Sequence, residues 1–241
     1  KDNVDMKMIN KIDTKNLPEL EILMLNKIYN LNKKIHKNFQ NYNFHSLYKD
    51  LLNFCTVDLS SFYFDIRKDT LYCEPLNSEK RKCCIRLLNI ILGCLLKWFA
   101  PILTFTTEEI FKIISENEKS IHLQTFPQVP EQWSNNTLAE KWKELISIRN
   151  MCNISIEQKR SEKIIGSSLE AKLEIKMNDV NYKKYRNFNF EELTISSKVE
   201  IIKDNKISEN FVINTQKAKG KKCPICWKIR EDKCERHGDL N

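Results

Sequence analysis

A chain of 241 residues with 41% hydrophobic side chains can bury one large core or two small ones, which excludes a disordered tail. Its 40 Lys and Arg against 32 Asp and Glu leave a formal charge of +8, which suits a polyanionic partner but equally fits a basic solvated surface. Only 4 Gly and 6 Pro favour long helices over many short strands, and no apolar run reaches the ~20 residues of a membrane span, since Leu87 to Ala100 is interrupted by Asn89 and Lys97.

Residues 1–17 are polar and without period, and read as the cut end of a linker inside a longer protein. From Pro18 the apolar positions Leu20, Met24, Ile28, Leu31 and Ile35 recur at helical spacing, with Pro18 and Glu19 suited to a first turn. After Asn41 to Asn43 a second stripe runs through Phe44, Leu47, Tyr48, Leu51, Leu52, Cys55, Leu59, Phe62, Tyr63 and Ile66, which predicts a second long α-helix. Pro75 and Asn77 break it. Ser78 before Glu79 and Lys80 predicts the cap of a third helix carrying Leu87, Leu88, Ile91, Leu95 and Trp98, ended or kinked by Pro101. Thr106 or Thr107 is expected to cap a short fourth helix, because Glu108 and Glu109 then lie near the positive end of its dipole.

Long helices with short connections imply an antiparallel bundle over residues 18–115. Residues 116–136, with Pro127, Pro130 and no period, read as a linker. A fifth helix is predicted from Thr137 to Glu162, with Leu138, Trp142, Leu145, Ile148, Cys152 and Ile156 on one face; its basic residues, Arg149 among them, face RNA or simply water. Beyond Gly166 the alternation of Leu169, Ala171, Leu173, Ile175 and Met177 with polar residues predicts a half-buried strand, and Glu192–Ser196, Val199–Ile202 and Asn210–Ile213 are strand-like. The expected fold class is mainly α: a helical bundle, then a C-terminal helix with a small α+β unit over 137–219, then a knuckle over 220–241.

The chain has nine Cys and no signal peptide, and those at 55, 73, 83, 84, 94 and 152 lie in apolar, helix-like surroundings, which predicts core thiols in a reducing, cytoplasmic setting. The other three differ. Cys223-Pro-Ile-Cys226 and Cys234-Glu-Arg-His237 are two pairs of equal spacing that can converge on one ion. Three thiolates and an imidazole in tetrahedral number suit a structural zinc with no open position, the alternative being free thiols in a frayed tail. Trp227 follows the second ligand beside Lys228, Arg230, Lys221 and Lys222, where a ring among cations stacks on an unpaired base, covers the metal site, or packs on the fifth helix. No Gly-rich phosphate loop is present, nothing in the sequence brings His36, His45 and His122 together, and Asp58 with Asp65 reads as a capping or ion-paired set. Catalytic residues: none are expected.

Taken in order, Tyr42-Asn-Phe-His-Ser-Leu-Tyr48, Asn53-Phe-Cys-Thr-Val-Asp-Leu-Ser-Ser-Phe-Tyr63 and Lys68-Asp-Thr-Leu-Tyr72 resemble the anticodon-binding helical domain of class I aminoacyl-tRNA synthetases. Ala100-Pro-Ile-Leu-Thr-Phe-Thr-Thr-Glu-Glu-Ile110 is similar to a segment shared by the isoleucine, valine and leucine enzymes. Arg149-Asn150, the stretch Glu162-Lys-Ile-Ile-Gly-Ser-Ser-Leu-Glu-Ala171 and the terminal Lys222-Cys-Pro-Ile-Cys-Trp-Lys-Ile229 resemble the bacterial-type isoleucine–tRNA ligase family most closely. The family's knuckle usually closes with a second Cys pair after a longer loop; here His237 replaces a Cys, or the fourth ligand is lost.

The resemblance implies binding of tRNA(Ile) and recognition of its anticodon, one structural zinc, a monomer, no membrane, and upstream catalytic and editing domains on the same polypeptide. It also implies a parent enzyme that uses ATP to attach isoleucine, while this chain lacks the HIGH and KMSKS signatures and binds no ATP. The expected tRNA contacts are Trp227, Lys228, Arg230, Lys221, Lys222 and Arg149. The rival readings are the equivalent part of a valine or leucine enzyme, a stand-alone RNA-binding or regulatory module of this fold, and a metal-stapled helical protein with no RNA partner.

Overall fold

The computed structural model describes residues 16–115, 120–207 and 210–238, and the chain divides into two compact units, 1–139 and 140–241. The first is a helical bundle. Its helices are α1 (Glu19–Gln40), α2 (Phe44–Asn53), α3 (Asp65–Cys73), α4 (Glu79–Phe99) and α5 (Thr104–Ile114). Pairings between α1 and the following helical run fix their direction: Asn38 donates to Asp50 at 3.1 Å, Lys27 to Asp58 at 2.7 Å, and Tyr63 to Glu21 at 3.1 Å. One number falls as the other rises, so the two run antiparallel. The α4 helix then returns alongside α1, with Trp98 Nε1 donating to Asn32 Oδ1 at 3.2 Å.

The core of this unit is the stripe expected of α1, with Leu20, Met24, Ile28, Leu31 and Ile35 buried beside Leu47, Leu51, Leu87, Ile91 and Trp98. Each such aliphatic side chain contributes about 1.5–3 kcal/mol when fully buried. Within it sits one ion pair: Arg67 Nε and Nη2 reach the two Glu21 oxygens, each at 2.6 Å, with both side chains buried. Two parallel bonds satisfy both charges where water is absent.

The second predicted helix departs from expectation between Phe54 and Phe64. This eleven-residue stretch is π-helical and continues without a break into α3. Its wider turn buries Phe54, Leu59, Phe62 and Tyr63, leaving Cys55 only half-buried; Cys73, at the end of α3, is likewise half-buried, so neither is a core thiol. Cys83, Cys84, Cys94 and Cys152 are buried as expected. Neither Thr106 nor Thr107 caps α5: the helix starts at Thr104, and Thr107 lies in its first turn, buried, donating to Leu103 O at 2.9 Å. Ser78 occupies the N-cap position of α4 without making a side-chain capping bond.

Of the segment expected as a linker, the described residues 120–136 are packed. Ile121 joins Leu96, Ala100 and Phe111 in one apolar cluster, and Trp133 is fully buried. Glu108 accepts from Ser120 Oγ at 2.8 Å and from the Ile121 amide at 3.0 Å, and the Asn135 amide donates to Asn26 Oδ1 at 2.8 Å. Two large apolar anchors and three side-chain bonds hold a chain that has no helical period of its own.

In the second unit, most of α6 (Asn136–Ser161) accompanies a three-stranded sheet of β1 (Ala171–Met177), β2 (Lys198–Lys203) and β3 (Phe211–Lys217), in the order β2-β1-β3. Ala171, Leu173, Ile175 and Met177 are buried on the face that strict alternation predicts. The central strand pairs parallel with β2 and antiparallel with β3. The parallel crossover carries α7 (Asp179–Tyr185), capped by Asn178 accepting from the Asn181 amide at 2.9 Å, and α8 (Phe190–Leu193), capped by Asn189 accepting from Glu192 at 3.1 Å. The expected strand at 192–196 is instead the end of α8 and its turn. The Asn189 cap starts that short helix, Thr194 Oγ1 back-bonds to Phe190 O at 2.7 Å, and Ile195 takes a left-handed φ of 54°.

Candidate metal centre

A hairpin places the first ligand pair. Its arms are β4 (Lys221–Lys222) and β5 (Ile229–Arg230), paired antiparallel. Gly220 enters it at φ 121°, and a Cβ there would lie 2.1 Å from the Arg230 carbonyl oxygen, so no other residue fits without moving the backbone. Between the arms, the Trp227 amide donates to Cys223 O at 3.0 Å and the Cys223 amide to Lys228 O at 2.9 Å, which turns both thiols of the pair inward. A second tight turn does the same for Cys234 and His237: the His237 amide donates to Cys234 O at 3.2 Å and the Gly238 amide to the same oxygen at 2.8 Å.

The four ligand atoms lie within 4.8 Å of one another, with the three cysteines buried and His237 half-buried. The separations are Cys226 Sγ to Cys234 Sγ 3.8 Å, Cys223 Sγ to His237 Nδ1 3.5 Å, and Cys234 Sγ to His237 Nδ1 3.4 Å. Tetrahedral zinc with bonds near 2.3 Å to sulfur and 2.0–2.1 Å to nitrogen needs edges of about 3.8 Å and 3.6 Å. The donor set fits that ion in size and in softness. Burial opposes ionisation of Cys223, but the amides of Cys226 and Ile225 point at its sulfur and hold its thiol down to about 6. Cys234 is lowered in the same way, burial being outweighed by the amides of Arg236 and His237. Cys226 goes the other way, up to about 11, through burial. Backbone N–H groups aimed at sulfur are the surroundings a metal thiolate needs.

The expected RNA contacts separate into two groups. Trp227 is 57% exposed at φ 63°, with Lys222 Nζ 5.1 Å above its ring, and Lys221 and Lys222 are exposed. Lys228 and Arg230 turn inward to Glu191, at 3.8 Å and 3.1 Å, and Arg230 also donates to the Ser197 carbonyl. Arg149 is 7% exposed and its Nε donates to Leu193 O at 2.9 Å, so it ties α6 to α8 inside the unit instead of meeting solvent. Sequence reasoning missed Glu191. Nothing local marks it, because its two cations lie 37 and 39 positions further along the chain.

The family described as the anticodon-binding domain of tRNA ligase matches residues 21–175, from α1 through the bundle and α6 into β1. This chain belongs to that family. Its relatives include an isoleucine--tRNA ligase of Pelagibacter ubique (strain HTCC1062), 54% identical over 231 residues, which is 96% of this chain and 25% of that protein. Isoleucine--tRNA ligases of Agrobacterium fabrum, 35% identical over 90% of the chain, and Methylacidiphilum infernorum, 39% identical over 82%, are matched across 23% and 21% of their lengths. The chain thus spans about a quarter of the relatives it matches. The knuckle lies beyond residue 175, outside the family match.

Proposed function

We propose that this chain is the part of an isoleucine–tRNA ligase that grips the anticodon stem and loop of tRNA(Ile), with a zinc-stapled knuckle at residues 220–238. The observation that carries the reading is the anticodon-binding family match over residues 21–175, together with the relatives named above, each an isoleucine--tRNA ligase. The chain's own contribution is binding and orientation. Energy gained at the anticodon is spent remote from the reacting centre, holding the acceptor end against catalytic and editing domains on the same polypeptide. ATP and isoleucine are handled by those domains and not by this chain.

Cys223, Cys226, Cys234 and His237 would hold the ion. Zinc, when bound, supplies a structural cross-link with no open coordination position. The chain's residues do the rest: the two tight turns present the ligands, and Trp227 with Lys221 and Lys222 forms an exposed aromatic and cationic face for an unpaired base and its phosphates. Such a protein acts as a cytoplasmic monomer. No helix among the described residues is long and apolar enough to cross a membrane.

Binding of a fluorescent tRNA(Ile) transcript by the full chain, titrated at several salt concentrations, tests the reading. Affinity that falls steeply with salt and exceeds that for a non-cognate tRNA is expected. A chain that binds tRNA(Ile) no better than tRNA(Val) would return the specificity to a valine-type enzyme, and one that binds no tRNA would leave a helical interaction protein.

A further inference from the structure

The α1–α2 turn carries an aromatic surface that the bundle core does not use. The turn closes as a Schellman motif: the Asn43 amide donates to Asn38 O at 2.8 Å and the Tyr42 amide to Phe39 O at 3.1 Å. The first residue past the C-cap of such a motif takes a left-handed backbone and is normally Gly. Here it is Tyr42, at φ 54°, with 81% of its surface exposed. A left-handed φ alone says little in this chain, since Lys163 and Ile195 share it. What sets Tyr42 apart is its surroundings.

Its ring begins a continuous array. Tyr42 meets Phe44 edge-on at 6.3 Å, Phe44 meets Phe39 at 5.7 Å, Phe39 meets Phe126 at 5.1 Å, and Phe126 meets His36 at 5.6 Å. Phe44 is 50% exposed and Phe39 38%, so the array is anchored at the Phe126 end and open at the Tyr42 end. Lys33, Lys34 and Lys37 are exposed on the C-terminal half of α1, Lys33 with its Nζ 4.7 Å from the Tyr29 ring. The nearby carboxylate of Asp50 is engaged by Asn38 at 3.1 Å and by Lys34 at 4.0 Å. An open aromatic edge at the end of a helix that carries three exposed lysines fits a stacked base with its phosphate and suits an apolar protein partner less well.

We infer that Tyr42 and Phe44 form a stacking platform for an unpaired base of an RNA loop, with the α1 lysines meeting its phosphates. This rests on the tRNA reading above, and assigns a second point of contact on the bundle itself, separate from the knuckle.

The test is Tyr42→Gly in the full chain, measured against a hairpin bearing the anticodon loop of tRNA(Ile). Gly suits the left-handed position, so this variant folds with an unchanged or raised melting temperature while losing the ring. Its affinity for the hairpin should fall roughly 5- to 150-fold, the equivalent of one lost base–aromatic stack. Tyr42→Trp should keep it. Against the same hairpin with abasic loop nucleotides, wild type and Tyr42→Gly should bind alike. Equal binding of wild type and Tyr42→Gly to the intact loop would overturn the platform. So would a wild-type dimer in light scattering that Tyr42→Gly dissociates, which makes the patch a contact between copies. Failure of wild type to bind any loop would instead sink the underlying tRNA reading.

Discussion

The bundle and the knuckle solve the problem of a stable fold by different means. In residues 16–115 the interior is a large set of aliphatic and aromatic side chains with one ion pair sealed inside it. In residues 220–238 the only fully buried apolar groups are the cysteines themselves, and Ile225 and Trp227 lie more than half exposed. Strands of two residues cannot make up the deficit. A segment with that little to bury folds only if something binds its folded form and not its unfolded one. The contrast separates the three knuckle thiols, which lie against one another and His237, from Cys83, Cys84, Cys94 and Cys152, which are buried within the larger cores.

The largest expected effect lies on the knuckle side. Structural zinc binding supplies an apparent 10–16 kcal/mol in comparable small sites at about pH 7. Cys226→Ser should drop bound zinc from about one equivalent to nearly none in a metal assay, and amides of residues 221–238 should lose hydrogen-exchange protection while those of α1 and α4 keep theirs. Wild-type protein purified without zinc would dissolve the contrast altogether. A milder loss in His237→Ala would fit water entering the fourth position, and an unchanged zinc content would remove His237 from the ligand set.

The next effect lies on the bundle side. Glu21→Gln leaves the Arg67 guanidinium buried without its counter-charge, at a cost of about 3–5 kcal/mol in urea unfolding. Zinc content should not change. If Glu21→Gln strips the metal as well, the two regions do not hold independently.

Trp227→Ala should retain zinc and weaken tRNA binding by about 1–3 kcal/mol. Unchanged affinity with zinc retained would assign the ring to shielding the site. The smallest effect concerns helix ends: Lys163→Gly, at an exposed left-handed position that closes α6, should raise the unfolding free energy by about 0.5–1 kcal/mol. A loss of stability there would mean that the lysine side chain makes a contact worth more than the backbone strain.

What the sequence disclosed follows from the range over which each signal acts. The β1 alternation and the α1 stripe were legible because a single face is buried for the whole length of each element. The convergence of Cys223, Cys226, Cys234 and His237 was legible because pairs of fixed spacing depend only on local turns. The π-helical stretch was not, since apolar residues at 54, 59, 62 and 63 satisfy an α-helical reading nearly as well as the wider one. Glu192–Ser196 looked like a strand because Leu193 and Ile195 alternate, while the Asn189 cap that starts α8 lies just outside that window. Lys228, Arg230 and Arg149 carry the local sequence surroundings of outward cations. Their partners, Glu191 and the Leu193 carbonyl, come from the crossover between β1 and β2, which no local pattern connects to them.

The sheet order has a consequence for self-association. With β1 in the middle, β2 and β3 are both outer strands, and each has only β1 as a neighbour in this sheet among the described residues. An outer strand offers unpaired amides and carbonyls that invite another chain to add itself. Lys198 and Lys203 stand at the two ends of β2, and Lys217 closes β3. Lys198 is held near Glu200 at 3.4 Å and Lys203 near Asp179 at 2.5 Å, so charge stays fixed at both ends of the β2 rim. A strand laid along that rim would have to strip water from these groups before gaining its first hydrogen bonds, which lets a small two-edged sheet remain at three strands.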